Sequence, residues 1–212
     1  MLLVHYPEGL TLAEYLAKEQ ELVQQVKKPT LFTWIVSPTV IYGHHQSAKV
    51  EVNEAYCREH GIAVVQRKSG GGCVYADEGN LMISFVTPST HSEQVFTEFL
   101  MLIAKALQAK GLLAVTTDHN DILVDNRKVS GWACYTCPTG TIVHGTMLYD
   151  VNLEALTKAI TPTTEKLAKH GVASVRQRVA NIRELTDAFA DIHALRAYIE
   201  LYGNKFTGAI NA

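Results

Sequence analysis

Charge of either sign is scarce in this chain of 212 residues, and other features are missing with it. Charged residues make up 19% of the sequence and the formal net charge is −2, so no basic field is present that would attract nucleic acid. No run of 18 apolar residues predicts a membrane span. The first nine residues lack the basic and apolar regions of a signal peptide, so we expect none.

Cysteine is also rare, and we interpret its four occurrences as reduced thiols of a cytoplasmic protein: Cys57, Cys73, Cys134 and Cys137. Cys134 and Cys137 have the spacing of a redox pair or of half a zinc site. A full zinc site needs two further ligands, and the other two cysteines are isolated. We therefore predict a pair of thiols beside a hairpin turn, expect His44 and His45 to be loop histidines, and expect no tightly bound metal.

The common phosphate-binding and hydrolase motifs are absent as well. The glycine-rich stretch at residues 70–72 has neither the Gly-Lys-Ser/Thr ending of a P-loop nor the G-x-G-x-x-G spacing of a dinucleotide fold. No serine lies in a G-x-S-x-G pattern. These motifs therefore give no support for a P-loop nucleotidase, a Rossmann oxidoreductase or an α/β-hydrolase.

Apolar residues are plentiful, at 47% of the chain, and no linker or repeat divides it, so we predict one domain over residues 1–212. Apolar periodicity predicts helices at 11–26, 53–60, 90–111, 152–159, 161–171 and 187–202. Strands are predicted at 31–36, 40–42, 62–66, 81–86, 112–116, 121–124, 128–134 and 141–149. Thr90 and Glu93 have the spacing of a capping box. The mixture, without strict βαβ alternation, predicts an α+β fold with a mixed, largely antiparallel sheet flanked by helices.

Three consecutive glycines follow a short predicted strand and two cations, Arg67 and Lys68. Glycine permits positive φ and close approach of another group to the backbone. One interpretation is a loop that lies against a ligand with anionic groups. The other is a tight turn between two strands, and the residues alone leave both open.

A predicted hairpin carries a second group of polar residues beside glycines. Asp121 begins its first strand and Lys128 its second, a pairing that is usually a surface ion pair of little energetic value. Gly131 lies within the returning strand, where glycine often marks close approach of backbone or ligand. His144-Gly145 repeats this pattern in the next strand. From the residues alone, these elements could converge on an anionic ligand.

Taken together, four segments in order and spacing resemble the lipoate–protein ligase catalytic domain. They are Gly43 to Gln46 with Glu51 to Asn53; Arg67 to Asn80; Asn120 to Val124 with Arg127 to Ala133 and His144 to Leu148; and Ser174 to Ile182. The resemblance implies a biotin/lipoate ligase-like α+β domain. It also implies that ATP and lipoate form lipoyl-adenylate, whose acyl group passes to a lysine of an apo lipoyl domain, such as that of a 2-oxoacid dehydrogenase E2 subunit or glycine cleavage H protein.

The resemblance further implies roles for individual residues. Lys128 is the expected catalytic cation, which would stabilise charge at the α-phosphate and then at the acyl carbonyl. The implied substrate-binding residues are Arg67, Ser69, Gly70, Gly71, Gly72, Val74, Tyr75, Gly131, His144 and Gly145. The implied nucleotide-binding residues are Asn80, Asn120 and Asp121, with Asp121 also a candidate ligand for Mg²⁺. Candidates for the apolar walls around the acyl chain are Val74, Leu81, Ile83 and Trp132.

Three positions depart from the family pattern. His44 and Lys68 each replace an arginine, and Ala76 replaces a histidine. The sequence also ends at Ala212 without the C-terminal accessory domain of many ligases. We expect either that a separate partner protein supplies that domain or that transfer does not need it.

Two alternatives remain beside the ligase. An octanoyl or lipoyl transferase of the same superfamily would use a cysteine thioester, but residues 112–119 contain no cysteine and none follows Cys137. A non-catalytic binder of lipoate or lipoyl domains would not need both Lys128 and Asp121. Biotin ligase is a more distant possibility in the same superfamily.

Overall fold

The computed structural model describes residues 1–160 and 179–205. The helix predicted at 161–171 lies outside the described residues, as do the first five residues of the fourth family segment, 174–178. No helix in the described part is long and apolar enough to cross a membrane.

The described residues form ten strands and six α-helices. The strands are β1 (Leu2–Leu3), β2 (Thr30–Trp34), β3 (Thr39–Tyr42), β4 (Ala63–Gln66), β5 (Val74–Ala76), β6 (Asn80–Thr87), β7 (Ala114–Thr116), β8 (Asp121–Val124), β9 (Arg127–Cys137) and β10 (Gly140–Leu148). The helices are α1 (Leu12–Gln25), α2 (Ala48–Glu51), α3 (Glu54–Glu59), α4 (Ser92–Gln108), α5 (Leu153–Ala159) and α6 (Ile192–Lys205), with a 3₁₀ turn at Ile182–Glu184.

Two sheets organise the fold. The larger has seven strands in the order β1-β2-β6-β10-β9-β8-β7, and the smaller has three in the order β4-β3-β5. Among the described strands, β1–β2 in the large sheet and β3–β4 in the small sheet pair in parallel; the other pairs of described strands are antiparallel. The predicted α+β class with a mixed, largely antiparallel sheet is confirmed, although the strands divide between two sheets.

Strands β6 and β10 lie at the centre of the large sheet and are buried on both faces. One face packs against α4 and α6, where Phe85 stacks on Phe99 at a centroid distance of 4.6 Å. The other face packs against α1, where Tyr15 stacks on Trp34 at 4.6 Å. Both faces are covered, and β6 accordingly carries apolar side chains on both sides apart from Ser84 in its middle.

The predicted capping box at Thr90 and Glu93 is wrong, because the chain is still turning at Thr90. The Ser92 amide donates to the Thr90 carbonyl at 2.9 Å, and the first helical bond of α4 runs from Val95 to the His91 carbonyl at 3.0 Å. The side chain of His91, the N-cap residue, makes no capping bond. A capping box does form at the start of α1, between Thr11 and Glu14.

Gly79 directly precedes β6 and packs against the chain that follows β10, so a substitution of Gly79 tests this packing. A Cβ at this position would lie 2.1 Å from the carbonyl oxygen of Asp150, and the Gly79 carbonyl accepts bonds from the Tyr149 and Asp150 amides at 3.0 Å. Since backbone must move, we expect Gly79→Ala to lower the free energy of unfolding by about 2–3 kcal/mol, measured by denaturant titration. A Cβ at Gly72 meets nothing within 4 Å, so Gly72→Ala is the control; equal losses in both variants would contradict the prediction.

Candidate active site

A cavity of about 260 Å³ opens between α1, the sheet face of β6, β9 and β10, and the small sheet. We call it the main cavity, and we call residues 69–73 the glycine loop. Both the lysine and the loop singled out in the sequence line it. The predicted site residues that it brings together are Arg67, Gly71, Gly72, Val74, Asn120, Asp121, Lys128, Gly131, His144 and Gly145.

Lys128 is held in place by the β8–β9 hairpin. The turn residues Asp125 and Asn126 have φ of 50° and 60°, as a two-residue hairpin turn requires. A register shift between Ile122 and Leu123 places Asp121 opposite Gly131, and the Nζ of Lys128 lies 2.7 Å from the Oδ1 of Asp121.

The side chain of Lys128 folds back over Gly131, three residues further along β9. A Cβ at Gly131 would lie 2.9 Å from both the Cε and the Nζ of Lys128. The Lys128 side chain is 32% exposed and the Asp121 side chain 22%. The ammonium group is thus fixed by a carboxylate and remains accessible from the main cavity.

Arg67 organises the glycine loop from inside. Its Nη2 donates to the carbonyls of Gly70 and Gly72, both at 2.7 Å, and its Nη1 donates to the Ile41 carbonyl at 3.2 Å. Burial lowers the pKa of the Arg67 guanidinium, while its loop contacts supply hydrogen-bond acceptors. Gly71 has a φ of 89°, which favours glycine at that position.

The loop also passes very close to Gly43 at the end of β3. A Cβ at Gly43 would lie 2.4 Å from the carbonyl oxygen of Gly71. This close approach requires glycine at position 43, because the atoms that a Cβ would meet belong to the backbone.

Comparison with known proteins identifies this arrangement. The family model of the lipoyl protein ligase A/B catalytic domain matches residues 6–201. The chain belongs to this family.

Lipoate-protein ligase LplJ of Bacillus subtilis (strain 168) is 36% identical over 195 residues, which cover 90% of this chain and 57% of LplJ. A bi-partite lipoate protein ligase from Thermoplasma acidophilum, analysed structurally with its E2 lipoyl domain, is 27% identical with a TM-score of 0.85. That match covers 96% of this chain and 82% of the other. A lipoate-protein ligase A bound with ATP is 25% identical with a TM-score of 0.82, covering 93% and 81%. The chain spans about half the length of the curated relatives it matches.

Four predicted site residues of this catalytic domain do not line the main cavity: Ser69, Gly70, Tyr75 and Asn80. Tyr75 follows Val74 on β5 and therefore faces the opposite side, where it packs in the core beside Val40. The buried Asn80 amide nitrogen lies 2.9 Å from the sulfur of Met82. For these four residues, contact with a ligand stays a prediction.

The prediction that Leu81 and Ile83 form walls around the acyl chain is wrong, because both belong to the core on the α4 side of the sheet. Met82, between them, lines the main cavity instead, together with three further apolar residues that sequence analysis missed: Leu12, Leu16 and Ile41. Trp132 lines the cavity too, but its ring packs edge-to-face on Phe99 at 5.5 Å.

The three departures from the family pattern do not line the main cavity. His44 is exposed, with its ring 4.9 Å from that of His45. Lys68 donates to the side chain of Gln20 on α1 at 3.1 Å. Ala76 is fully buried in the core on the α1 side.

Sequence analysis missed two polar residues, His119 and Glu19. His119 lines the main cavity beside Asn120. Glu19 is 1% exposed and contacts His144 with both carboxylate oxygens. Glu19 shares the apolar stripe of α1 with Leu12, Leu16 and Val23, and a charged residue on such a stripe is a signal that could have found it.

Metal-binding capacity in the described residues is limited. Within 1–160 and 179–205, no group of three or more histidine, cysteine, aspartate or glutamate residues could hold a metal ion. Asp121, with Asn120 beside it, offers oxygen ligands that suit Mg²⁺ when phosphate oxygens complete the coordination.

The buried Tyr75 predicts a loss of stability in alkali. Burial raises its pKa above the ordinary value, and Asp77 and Glu78 raise it further. Below about pH 10 the Tyr75 phenol is mostly neutral in both the folded and the unfolded state. Above that pH the phenol ionises more readily in the unfolded state, so the unfolded state becomes more favourable. The free energy of unfolding should therefore fall from pH 9.5 upward, with Tyr75 contributing up to about 1.4 kcal/mol per pH unit.

Equilibrium unfolding from pH 8 to 11.5 would measure this loss. In Tyr75→Phe the decline should be shallower than in the unsubstituted protein, whereas the half-buried Tyr42→Phe serves as the control. An unchanged alkaline slope in Tyr75→Phe would contradict the assignment of this side chain to the core.

Proposed function

We propose that this chain activates lipoate with ATP to form lipoyl-adenylate and transfers the lipoyl group to a lysine of an apo lipoyl domain. The observation that carries the proposal is the Lys128–Asp121 pair, which opens into the same cavity as Gly71 and Gly72 of the glycine loop. Family membership and the names of the relatives support it. The cytoplasmic location and the extent of the domain over 1–212 stay predictions.

In the first step, a carboxylate oxygen of lipoate attacks the α-phosphorus of ATP and pyrophosphate leaves. Negative charge accumulates on the phosphoryl oxygens, and the Lys128 ammonium, already oriented by Asp121, would stabilise it without further reorganisation. Asn120 and Asp121 would hold Mg²⁺, which neutralises phosphate charge.

In the second step, the lysine amine of the acceptor attacks the acyl carbonyl and AMP leaves. Charge then develops on the carbonyl oxygen, next to the position of the first reaction centre. The same Lys128 ammonium would stabilise this second oxyanion, so that one fixed cation serves both steps. The apolar side chains of Leu12, Leu16 and Met82 would accompany the hydrocarbon chain of lipoate.

One comparison supports a proposal for the acceptor and for an accessory protein. The similar Thermoplasma acidophilum protein is described as a bi-partite ligase with an E2 lipoyl domain. We propose that this chain likewise modifies E2-type lipoyl domains, and H protein of glycine cleavage, and that a separate accessory protein assists the transfer step. Without that protein, we expect adenylate to accumulate.

A second candidate is acyl transfer from an acyl carrier protein through a cysteine thioester, because Cys73 lines the main cavity. Its thiol is on the chain segment that carries the three glycines. This reaction would require no ATP, which separates it from the ligase in one experiment.

The test is a paired acylation assay read by intact mass of an apo lipoyl domain. With ATP, Mg²⁺ and lipoate, with or without accessory protein, we expect lipoyl product or accumulated lipoyl-AMP. With octanoyl carrier protein and no ATP, we expect no product. Product only in the second arm would favour the transferase, and lipoate binding without any product in either arm would favour a non-catalytic binder.

The role of Lys128 can be separated from folding by two substitutions. Lys128→Ala removes the cation and should lower the rate of adenylate formation at least about 100-fold. In Gly131→Ala the new Cβ would displace the end of the flexible Lys128 side chain, so we expect a loss of about tenfold or more with a nearly unchanged melting temperature. Lys158→Ala, at an exposed ion pair on α5, is the matched control. Full activity in Lys128→Ala would refute its role.

A further inference from the structure

A chain of buried hydrogen bonds links α1 to the glycine loop. We call it the buried relay, and it consists of Glu19, His144, Ser69 and Arg67. The Nδ1 of His144 lies 2.8 Å and 3.0 Å from the two carboxylate oxygens of Glu19, and its Nε2 lies 2.7 Å from the Oγ of Ser69. Arg67 donates from Nε to the same Oγ at 3.0 Å. The carboxylate of Glu19 and the guanidinium of Arg67 are thus connected through the side chains of His144 and Ser69.

Two of these bonds have a fixed direction. Arg67 can only donate, so the Ser69 oxygen accepts from it. The Nδ1 of His144 donates to the carboxylate of Glu19, whereas the contact between Nε2 and Ser69 can run in either direction, because the Ser69 oxygen can accept a second bond.

The carboxylate of Glu19 also accepts a hydrogen bond from β6. The Trp34 indole donates to the Oγ of Ser84 at 2.8 Å, and Ser84 donates to Glu19 at 2.6 Å. The Glu19 carboxylate therefore accepts bonds from His144 on β10 and from Ser84, the residue paired with His144 on β6.

The effect of this order falls on the glycine loop. With Nε engaged by Ser69, the guanidinium plane of Arg67 is oriented so that Nη2 reaches the carbonyls of Gly70 and Gly72. Two carbonyls of the loop are therefore held by one side chain, whose Nε is shared between the Ser69 hydroxyl at 3.0 Å and the Gly70 carbonyl at 3.1 Å.

Ser69, His144 and Glu19 have the connectivity of a hydrolase triad, but the surroundings of Ser69 argue for a different role. Ser69 is 2% exposed and does not line the main cavity. Its oxygen accepts a bond from a guanidinium, which withdraws the lone pair that a nucleophile would use. The geometry suits a group that positions its neighbours.

We propose that Glu19 and Ser69 are positioning residues, and that the buried relay holds the glycine loop in its ligand-binding conformation. Glu19 holds the His144 ring through Nδ1, His144 holds Ser69 through Nε2, and Ser69 holds the Nε of Arg67 beside the loop carbonyls. The consequence for lipoate affinity rests on the proposed function, whereas the consequence for the loop does not.

The loop can be tested in the ligand-free protein by amide hydrogen exchange. Glu19→Gln keeps the shape but replaces one acceptor oxygen by a donor, and Ser69→Ala removes the central hydroxyl. Each should raise exchange at residues 70–73 about tenfold, while β6 and β10 stay protected. Glu21→Gln, on the exposed side of α1, is the matched control. Unchanged exchange rates at residues 70–73, or an equal rise in exchange across the whole sheet, would overturn the proposal.

A double-mutant cycle distinguishes a relay from two separate structural effects. Both residues contact His144, so breaking the chain at either point should have the same result, and the double variant should exchange about as fast as the single ones. Effects that multiply would refute the relay.

The same variants report on ligand binding. We expect the KM for lipoate to rise about tenfold in each while kcat stays within about threefold, because the Lys128–Asp121 pair is untouched. A fall in kcat with unchanged KM would contradict a role in holding the binding loop. If the unsubstituted protein does not use lipoate but the loop responds in the exchange experiment, the proposed function fails and the relay stands.

Discussion

The candidate site depends on the space that Gly131 leaves for the side chain of Lys128. Any Cβ at that position would come within 2.9 Å of the amine, so the cation can return to Asp121 only because β9 has no side chain there. A flexible, strongly hydrated ammonium is otherwise a poor source of fixed charge. The hairpin turn, the register shift at Ile122 and the glycine together remove that flexibility, and the accessible ammonium is the result.

Apolar and charged residues line different parts of the main cavity, and few elements supply them. Its apolar wall comes from α1, β3, β5 and β6, and its cation and carboxylate come from β8 and β9. Helix α1 contributes both apolar residues and a charged one. Leu12 and Leu16 belong to the wall, whereas Glu19, one turn further on, anchors the buried relay. A buried carboxylate is costly unless its lone pairs are used, and here His144 and Ser84 use them.

Sequence analysis predicted the parts of the fold in which local pattern and tertiary structure agree. The hairpin that carries Asp121 and Lys128, the glycine loop and the central strand β6 were all located, since turn chemistry and apolar runs are local signals. The faces of β6 could not be assigned, because a strand apolar on both sides contains no alternation to show which residues face the cavity; Met82 was therefore missed in favour of Leu81 and Ile83. The predicted capping box at Thr90 is wrong for another reason: Thr90 and Glu93 have the right spacing, but the turn that precedes α4 has not yet ended at Thr90.

Strand order has a further consequence, for the rate and timing of folding. Strand β2 pairs with β6, and β6 with β10, across about 50 residues of intervening chain in each case. No early fragment can therefore complete the sheet: on a ribosome, residues 30–87 would wait for 140–148 to emerge before the central ladder closed. Such non-local pairing predicts slow folding and a nascent chain whose apolar central strand stays uncovered on one edge until β10 has emerged.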